Sequence, residues 1–509
     1  MPVKTFSLTT CKQRLTLFGA IALAFCCAER AGFAQATTND SGLAFAAAIE
    51  SSMEAAIAKA EKSVVAIARV RRDRYANQLQ GSDLRLIPFG NYGQPSSDPT
   101  DPDFVPAEFG TGIVFDAAGL ILTTCDVLGD LEDHVNSKFY VTAHDRKIRE
   151  ATIEAADPRS NLAVLKVSGE GLVPITFGDG GKLRKGQIVI ALGNPYAIAR
   201  DGQASASWGI VSNLQRKAGA VPTSSGDPVP SGKTTLHHLG TLIQTDAKLN
   251  LGTSGGALLN LKGEMVGLTT SLAAAAGYEQ AAGYAIPVDE TFRRVLDELR
   301  NGRAVQYGFL GVAPNLTADA RRAVPYGVLV QEVVQGAPAA VSGIQSGDVI
   351  THIDGQPVID FDNLMLRVGS QPAGQQVELS LERQGRVMPV KLTLAKFRNS
   401  AKAIATKQDP AWRGVRVDYW TAVLDIRLDR NLAQEIEDGG CVIVTEVTPD
   451  SPAAKAGLKP NMAVTHVEGA RVGTPKDFNA AVRSLSGPVS LRITSLTDEA
   501  PQEIVIPTE

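Results

Sequence analysis

The C-terminal third of this 509-residue chain contains the same module twice. The stretch "YGVLVQEVVQGAPAAVSG" from Tyr326 aligns without gaps with "GCVIVTEVTPDSPAAKAG" from Gly440, at a constant offset of 114 residues. A match of this length predicts two copies of one folding unit, joined by a linker at residues 397–410. The aligned pairs include Pro338 with Pro452, Gly343 with Gly457 and His352 with His466.

The region before the repeat, residues 109–290, consists of short apolar or alternating runs separated by glycine, such as "GTGIVFD" and "QIVIALG". Runs of this length are typical of a β-barrel or a β-sandwich. Helices are predicted for the alanine-rich stretch 43–62 and for 289–302, which ends at a glycine. Residues 71–107 are rich in Pro, Gly and Asp and predict a long polar loop. The chain is therefore expected to be mainly β.

The N-terminus has the pattern of an export signal. Basic residues precede an apolar stretch, "LTLFGAIALAFCCA", and small residues then offer cleavage sites near Ala34 or Ala36. We assign residues 1–36 to a signal peptide and expect export to the periplasm or cell envelope, with an uncleaved anchor as the alternative. The bulky Phe25 before Cys26 argues against a lipoprotein site. A net charge of −4 without a basic run gives no basis for a nucleic-acid partner.

Cysteine and histidine placement gives no sign of a disulfide framework or a metal site. Of five cysteines, only Cys125 and Cys441 would remain after removal of the signal, and they fall in different predicted domains. The six histidines lack ligand spacing with acids or cysteines, and the adjacent His237 and His238 are interpreted as polar loop residues. We therefore expect no cofactor.

The stretch "LNLGTSGGALLN" frames Ser254 with glycines. A serine nucleophile needs a tight loop that exposes its hydroxyl, together with two backbone N–H groups that face the developing oxyanion. The N–H groups of Gly252 and Ser254 are the predicted oxyanion donors. Because SGG is also ordinary turn chemistry, this motif is modest evidence when taken alone.

The order of motifs strengthens that evidence. With "GTGIVFD", "GLILTT", "ADPRSNLAVLKV", "LIQTDA" and "GYAIPVD", and the twin repeat behind them, the chain resembles the HtrA (DegP-like) family of exported proteases. The resemblance implies a trypsin-like double β-barrel followed by two α+β PDZ domains, and trimers built through the barrel domain. It divides the chain into a signal peptide (1–36), an N-terminal helical segment (37–62), a protease-like domain (63–302), a first PDZ domain (303–396), the linker (397–410) and a second PDZ domain (411–509).

The resemblance also exposes a degenerate catalytic triad. In "LILTTCDV" the family's catalytic histidine is matched by Asp126, and in "DPRSNLAVLK" its orienting aspartate is matched by Asn161. Of the three residues only Ser254 is retained. The reference pKa of an aspartate is about 3.9, so Asp126 is a feeble base at neutral pH, and Asn161 does not titrate. We expect Asn161 to donate to Asp126 and Asp126 to accept from Ser254, a satisfied network without a proton shuttle.

Three other residues are alternatives for the missing chemistry. His134 would need its loop to fold back over the site, and a solvated loop histidine is favoured. Lys248 can act as a base for a serine when desolvated, but it is expected to rim the substrate pocket. Cys125 has no activating histidine in the sequence nearby and is expected to be a small buried core residue.

The first repeat is expected to bind peptides. PDZ domains add an extended C-terminus as a strand to a sheet edge, and a loop of N–H groups takes its carboxylate. "YGFLGV" resembles that loop, with Gly308 and Gly311 for the turn and Phe309 and Leu310 beside an apolar pocket; a plain edge strand is the alternative.

The second repeat is not expected to bind peptides and is expected to serve in packing or assembly instead. At the 114-residue offset "YGFLGV" falls on "TAVLDI", where Ala422 and Asp425 replace the glycines, and Asp425 would repel a carboxylate. A nearby alternative, "WRGVRV" from Trp412, keeps one glycine.

These observations favour a non-hydrolytic exported protein that binds unfolded or C-terminal peptide segments as a scaffold, chaperone or adaptor. The alternative function is a working serine endopeptidase of envelope protein quality control with an unorthodox base.

Overall fold

A computed structural model describes residues 41–71, 98, 101, 104, 106, 108–132, 134–194, 203–218, 235–271, 282–318, 324, 326–399, 401–423, 436, 439–494 and 501–508. The predicted signal peptide and nearly all of the predicted polar loop lie outside these residues. Residues 41–60 form helix α1, as the alanine-rich pattern predicts. Across the described parts of the chain, no helix has both the length and the apolar character needed to cross a membrane.

The first barrel is a closed six-stranded sheet. Its strand order is β5-β4-β1-β2-β3-β6, and β6 pairs back onto β5. Close packing inside it requires small residues, because a Cβ at Gly112 would lie 2.6 Å from Ile121 and 2.8 Å from Ile67. Its strands are β1 (Val64–Arg71), β2 (Glu108–Asp116), β3 (Leu120–Thr124), β4 (Ser137–Thr142), β5 (Ile148–Asp157) and β6 (Leu162–Val167), with the short helix α2 (Cys125–Leu128) directly after β3.

The second barrel is closed in the order β10-β11-β12-β9-β8-β7. Helix α3 (Glu290–Arg300) follows it, begins where Asp289 accepts the N–H of Phe292 at 2.8 Å, and buries an apolar face in the main core. The strands are β7 (Ile188–Gly193), β8 (Ser205–Arg216), β9 (Leu242–Thr245), β10 (Ala257–Leu259), β11 (Met265–Thr270) and β12 (Gly283–Pro287). The prediction of a mainly β fold with a double barrel is confirmed.

The two repeats fold alike. The first has the strand order β14-β15-β16-β18-β19 and the second β22-β23-β24-β26-β27, each with one extra short strand on its middle strand. The first contains β13 (Gly308–Phe309), β14 (Val312–Pro314), β15 (Val328–Val333), α4 (Pro338–Val341), β16 (Val349–Ile353), β17 (Gln356–Pro357), α5 (Phe361–Ser370), β18 (Gln376–Arg383), β19 (Arg386–Thr393) and β20 (Ala395–Lys396).

The segment predicted as a linker also contributes a strand to the first barrel. Strand β21 (Ile404–Ala405) pairs with the end of β5, with Ile404 opposite Ala156. This part of β5 extends beyond its pairing with β4, so its edge is available to another strand. The second repeat then follows with β22 (Val415–Tyr419), α6 (Trp420–Val423), β23 (Val442–Val447), α7 (Pro452–Lys455), β24 (Ala463–Val467), β25 (Ala470–Arg471), α8 (Pro475–Val482), β26 (Val489–Thr494) and β27 (Gln502–Ile506).

Strand register corrects the predicted alignment of the two loops. Val312 pairs with Val333 in the first repeat, and Val415 pairs with Val447 in the second. The offset is therefore 103 residues before the β22–β23 connection and 114 after it, so this connection is 11 residues longer than its counterpart. The alignment of "YGFLGV" with "TAVLDI" is wrong, and "WRGV" from Trp412 is the equivalent loop.

Two residues of the rejected alignment can be placed. Ala422 lies in helix α6, outside any loop equivalent to "YGFLGV". Asp425, on which the predicted repulsion rested, lies outside the described residues.

Candidate functional site

Ser254 lies on a glycine-rich turn between β9 and β10 that is pinned to the first barrel. The Thr111 hydroxyl donates to the Gly252 carbonyl at 2.7 Å, and the Thr111 N–H donates to the Ser254 carbonyl at 2.9 Å. Glycine is required at Gly255, which has a φ of 83°, because a Cβ there would lie 2.1 Å from the Thr111 carbonyl oxygen. The loop therefore holds Ser254 at the junction of the two barrels.

The predicted oxyanion donors have no protein acceptor among the residues that the structure describes. Within the described parts of the chain, the N–H groups of Gly252 and Ser254 make no hydrogen bond, whereas the N–H of Thr253 between them donates to Asn250 at 3.1 Å. Two free N–H groups in one turn are what an oxyanion site requires. The assignment of Gly252 and Ser254 to that role stays a prediction.

The hydroxyl of Ser254 is paired with another hydroxyl. Thr124 Oγ1 lies 3.2 Å from Ser254 Oγ, and among the described residues this is the hydrogen bond that the serine side chain makes. The expected bond from Ser254 to Asp126 is absent from the described contacts, in which Asp126 Oδ2 accepts from Asn161 instead. A threonine hydroxyl does not titrate near neutral pH, so Thr124 is no general base. Sequence reasoning missed Thr124, since nothing in "LILTTCDV" shows which hydroxyl turns toward the serine.

Asp126 and Asn161 form the pair that the sequence predicts. The Asn161 amide donates to Asp126 Oδ2 at 3.0 Å, and the Thr270 hydroxyl lies 3.4 Å from the same oxygen. The Asn161 amide also donates to the Thr270 hydroxyl at 3.3 Å. Asn161 has a φ of 55°, a left-handed conformation that asparagine tolerates better than most residues. Thr270, at the end of β11, completes a triangle that the sequence did not reveal.

The surroundings of Asp126 raise the pKa of its carboxyl group. Removal from water is the largest cause, and the hydrogen bonds from Asn161 and Thr270 act in the opposite direction. Asp126 as a whole is still exposed to solvent, so the surrounding protein atoms remove only part of the water from its carboxylate. A raised pKa would make Asp126 a better base, but its Oδ2 accepts from Asn161 and Thr270, and within the described residues neither carboxylate oxygen bonds to Ser254.

The alternative residues lie apart from the serine hydroxyl. His134 sits in a short 3₁₀ turn, where its Nδ1 bonds the Leu131 carbonyl at 2.6 Å. Lys248 is exposed. Cys125 is a buried free cysteine whose pKa is raised well above its usual value, chiefly by desolvation, and its Sγ contacts the Leu162 carbonyl at 3.4 Å. No described contact brings any of these three side chains to Ser254.

The adjacent histidines are buried, which corrects their interpretation as polar loop residues. His237 and His238 belong to the 3₁₀ helix Leu236–Leu239. His237 bonds the Ser160 carbonyl through Nε2 at 2.7 Å and the Thr241 hydroxyl through Nδ1 at 2.6 Å. Desolvation lowers the pKa of His237 to about 4, and the nearby His238 contributes to the shift. His237 is therefore a neutral structural residue at pH 7.

The turn that carries Asn161 is also tied to the start of the first repeat. Asp157, at the beginning of this turn, is fully buried, and its Oδ2 accepts from the Ser160 hydroxyl at 2.6 Å and from the Tyr307 hydroxyl. Burial raises the pKa of Asp157, while these two hydrogen bonds oppose the rise. Because Tyr307 immediately precedes Gly308, the repeat and the candidate site share a buried anchor.

The loop predicted to bind a carboxylate has the required geometry in the first repeat. Gly311 has a φ of 85°, and its Cβ would lie 2.2 Å from Ala337. Leu310 is buried in the core of the repeat, whereas Phe309 is half-buried. The N–H groups of Leu310 and Gly311 have no acceptor among the described residues, while their carbonyls accept backbone N–H groups of the α4 side. Gly308 donates to the Gln371 carbonyl at 2.8 Å, at the end of α5.

The equivalent loop of the second repeat closes as a two-residue turn with a different backbone. Arg413 has a left-handed φ of 47°, unlike Leu310, and the N–H groups of Trp412 and Val415 donate to each other's carbonyls at 2.9 and 2.8 Å. Gly414 has a φ of 89°, and its Cβ would lie 2.2 Å from Ser451, as at Gly311. Trp412 packs edge-on against Phe478 of α8, with ring centroids 5.9 Å apart. Arg413 replaces Leu310, and its guanidinium donates to backbone carbonyls, including that of Gly487 at 2.7 Å. An indole therefore occupies the space between the loop and α8.

Two family models match the chain. The model described as "Trypsin-like peptidase domain" matches residues 110–268, and the one described as "PDZ domain" matches residues 308–394.

Curated relatives match most of the chain. A "Probable periplasmic serine endoprotease DegP-like" of Pseudomonas fluorescens is 30% identical over 82% of this chain and 85% of its own length. The "Periplasmic pH-dependent serine endoprotease DegQ" of Escherichia coli is 30% identical over 85% of this chain and 87% of its own length. Taken with the double barrel and the repeats, these matches show that the chain belongs to the HtrA (DegP-like) family.

Proposed function

We propose that this chain is an exported, non-hydrolytic member of its family that binds C-terminal or unfolded peptide segments and acts as a scaffold, chaperone or adaptor. The observation that carries the proposal is the pairing of Ser254 Oγ with Thr124 Oγ1 instead of with a titratable base. The predicted signal peptide and the periplasmic names of the relatives support a place in the cell envelope.

The chemistry of acyl transfer explains why this pairing matters. A base must take the serine proton during attack and return it to the leaving amine. Thr124 cannot do this, and Asp126 is held by Asn161 and Thr270. Loss of the base lowers turnover on the order of a million-fold in serine proteases. The residual site binds and orients a peptide without cleaving it.

Peptide capture is assigned to the first repeat. A C-terminal carboxylate would meet the free N–H groups of Leu310 and Gly311, and the peptide would extend along the edge strand β14 beside α5. The plain edge-strand alternative would not need free N–H groups at a left-handed glycine. Trimers built through the barrels, as the family resemblance implies, would present several such loops at once.

A second candidate function is serine endopeptidase activity, which the names of the relatives favour. It requires a base that the described contacts of Ser254 do not include. His134, Lys248 or a residue of a neighbouring subunit would have to reach the hydroxyl after a rearrangement.

Labelling with a fluorophosphonate probe tests the proposal, because the probe reacts only with an activated serine. We expect the wild-type protein and Ser254→Ala to label equally weakly. Strong labelling that depends on Ser254 would favour the second candidate.

Fluorescence anisotropy with peptides that end in a free carboxylate tests the proposed peptide binding, with the amidated peptides as controls. Equal affinity for both forms would contradict carboxylate recognition.

A further inference from the structure

The loop of the first repeat is in contact with the second repeat. Phe309 and Ala337 belong to one apolar cluster with Trp420, Ile436 and Cys441 of the second repeat. Ala337, Ile436 and Cys441 are fully buried, and Trp420 is 6% exposed. The contact is close, since such packing leaves no room for added atoms. The cluster is completed by Ile443 and Ala463, with Val334 and Val423 partly buried against it.

Polar contacts fix the same junction. Lys396 pairs with Asp418 at 2.5 Å, and the Thr421 hydroxyl donates to the Lys396 carbonyl at 2.7 Å. Lys396 lies in β20, which pairs with β13, with Gly308 opposite Lys396 and Phe309 opposite Ala395. The second repeat is therefore connected through one strand pair to the backbone of the carboxylate-binding loop.

The contacting residues come largely from the longer connection of the second repeat. Trp420, Val423 and Ile436 lie between β22 and β23, where this repeat has 11 residues more than the first. The extra length thus provides the surface that meets Phe309.

The contact supports the loop and leaves the peptide groove open. A peptide would lie between β14 and α5, and none of the described residues of these two elements belongs to the shared cluster. The first repeat contributes instead Phe309 and residues at and before α4, on the other side of the loop. If the second repeat blocked the groove, it would have to pack against β14 or α5. It packs instead against the residues on the other side of the carboxylate-binding loop.

We infer that the second repeat positions the carboxylate-binding loop of the first, through the packing of Trp420 and Ile436 against Phe309 and Ala337. The inference rests on peptide binding by the first repeat, the function proposed above. A loop that is ordered in advance binds with higher affinity, because only the competent fraction of molecules accepts the ligand. The second repeat then acts as a structural part of a single peptide site.

A pair of glycines provides a matched test in the full-length protein. Gly336 and Gly343 both lie in the first repeat with left-handed φ values of 69° and 77°. A Cβ at Gly336 would lie 2.2 Å from Ile436, whereas a Cβ at Gly343 would meet nothing within 4 Å. Gly336→Ala should therefore disturb the junction, and Gly343→Ala introduces only the same backbone strain.

We expect Gly336→Ala to weaken binding of a C-terminal peptide by about tenfold, since the loop would be competent only part of the time. Gly343→Ala should bind like the wild type. Ile436→Ala, which changes the second repeat alone, should also weaken binding, and circular dichroism establishes that each variant is folded. Wild-type affinity in folded Gly336→Ala and Ile436→Ala would overturn the inference while leaving the proposed function intact.

Two other outcomes separate the inference from the function on which it rests. Tighter binding in Gly336→Ala and Ile436→Ala would show that the second repeat obstructs the loop, which contradicts the inference. Absence of peptide binding by the wild-type protein itself would refute the proposed function, and the inference would be refuted with it.

Discussion

The side-chain amide of Asn161 donates to the carboxylate of Asp126 at 3.0 Å, and the sequence predicts that these residues stand where the family has its catalytic aspartate and histidine. On that prediction, an asparagine–aspartate hydrogen bond stands in place of an aspartate–histidine hydrogen bond. Ser254 is left with Thr124. Among the described residues, the hydrogen-bond partner of the Ser254 hydroxyl is therefore another hydroxyl and not a titratable base.

Restoring both residues should restore some hydrolysis. We expect Asp126→His with Asn161→Asp to cleave casein measurably, and Asp126→His alone to cleave it less. Without the aspartate, the imidazole can take the wrong tautomer and turn its protonated nitrogen toward Ser254. Initial rates on labelled casein compare the variants, and greater activity in the single variant would contradict this explanation. A changed conformation of the loop around Ser254, where Leu251 beside Gly252 is exposed, would reduce the restored activity.

A single change at the pair should add to the pH dependence of the stability. Asn161→Asp places a second carboxylate near Asp126, and like charges at this distance raise the pKa of one of them above its unfolded value. The folded state then binds the extra proton, so the free energy of unfolding should rise as the pH falls from 7 to 5. Urea unfolding at the two pH values measures this.

The charge-swapped variant Asp126→Asn with Asn161→Asp is the control. It carries one charge at the pair, as the wild type does, and should lack the added pH dependence. If the swapped variant showed the same pH dependence, repulsion between the two carboxylates would not be the cause, and the prediction would be contradicted.

The sequence predicts the Asp126–Asn161 pair because the family resemblance assigns both residues to neighbouring places. It does not predict Thr124 or Thr270. Which hydroxyl meets Ser254 depends on how β3 turns into α2, and the reach of Thr270 depends on the packing of one barrel against the other. These are tertiary relationships that a motif does not record.

In the repeats too, features set by local sequence could be predicted, whereas features set by tertiary contacts could not. Their strands are predictable from apolar alternation and glycine positions, and both sheets have the same order. The loop alignment failed because 11 extra residues lie between β22 and β23, and only strand pairing shows that Gly414, not Asp425, corresponds to Gly311. The burial of His237 was missed for a similar reason, since the Ser160 carbonyl that receives it is 77 residues away.

His237 should contribute stability that is lost in mild acid. Its pKa is lowered to about 4 in the folded state by desolvation, against an unfolded value of about 6.5, so the unfolded state binds more protons between these values. The contribution of His237 is complete above pH 6.5 and falls by up to about 3 kcal/mol as the pH approaches 4. Unfolding by urea across this range measures it.

The comparison for His237 is made between variants, because the raised pKa of Asp157 makes its own contribution to the pH dependence of stability, in the opposite direction. His237→Gln keeps hydrogen-bonding groups but does not titrate, so the wild type should lose stability relative to it as the pH falls. His134→Gln, in an exposed 3₁₀ turn, should follow the wild type. A constant difference between wild type and His237→Gln would refute the buried neutral histidine.

The two repeats should differ in peptide binding even though both loops contain a left-handed glycine, Gly311 in the first and Gly414 in the second. Gly311→Ala and Gly414→Ala introduce the same strain, since each Cβ would lie 2.2 Å from the following helix turn, at Ala337 or Ser451. We expect Gly311→Ala to weaken binding of a C-terminal peptide by about tenfold or more and Gly414→Ala to leave it unchanged. In the second repeat, Trp412 of the loop already packs against Phe478 of α8. Equal losses in the two variants, measured by anisotropy, would show that both repeats bind.

The rate of casein hydrolysis by the unmodified protein, compared with Ser254→Ala at neutral pH, tests the central claim most directly. Without a base, oxyanion donors alone retain roughly a thousand-fold or more over the uncatalysed reaction, which is far below useful proteolysis. The account predicts that the two proteins release fragments at the same background rate. Robust cleavage that disappears in Ser254→Ala would contradict it and would require a base from His134, Lys248 or a neighbouring subunit.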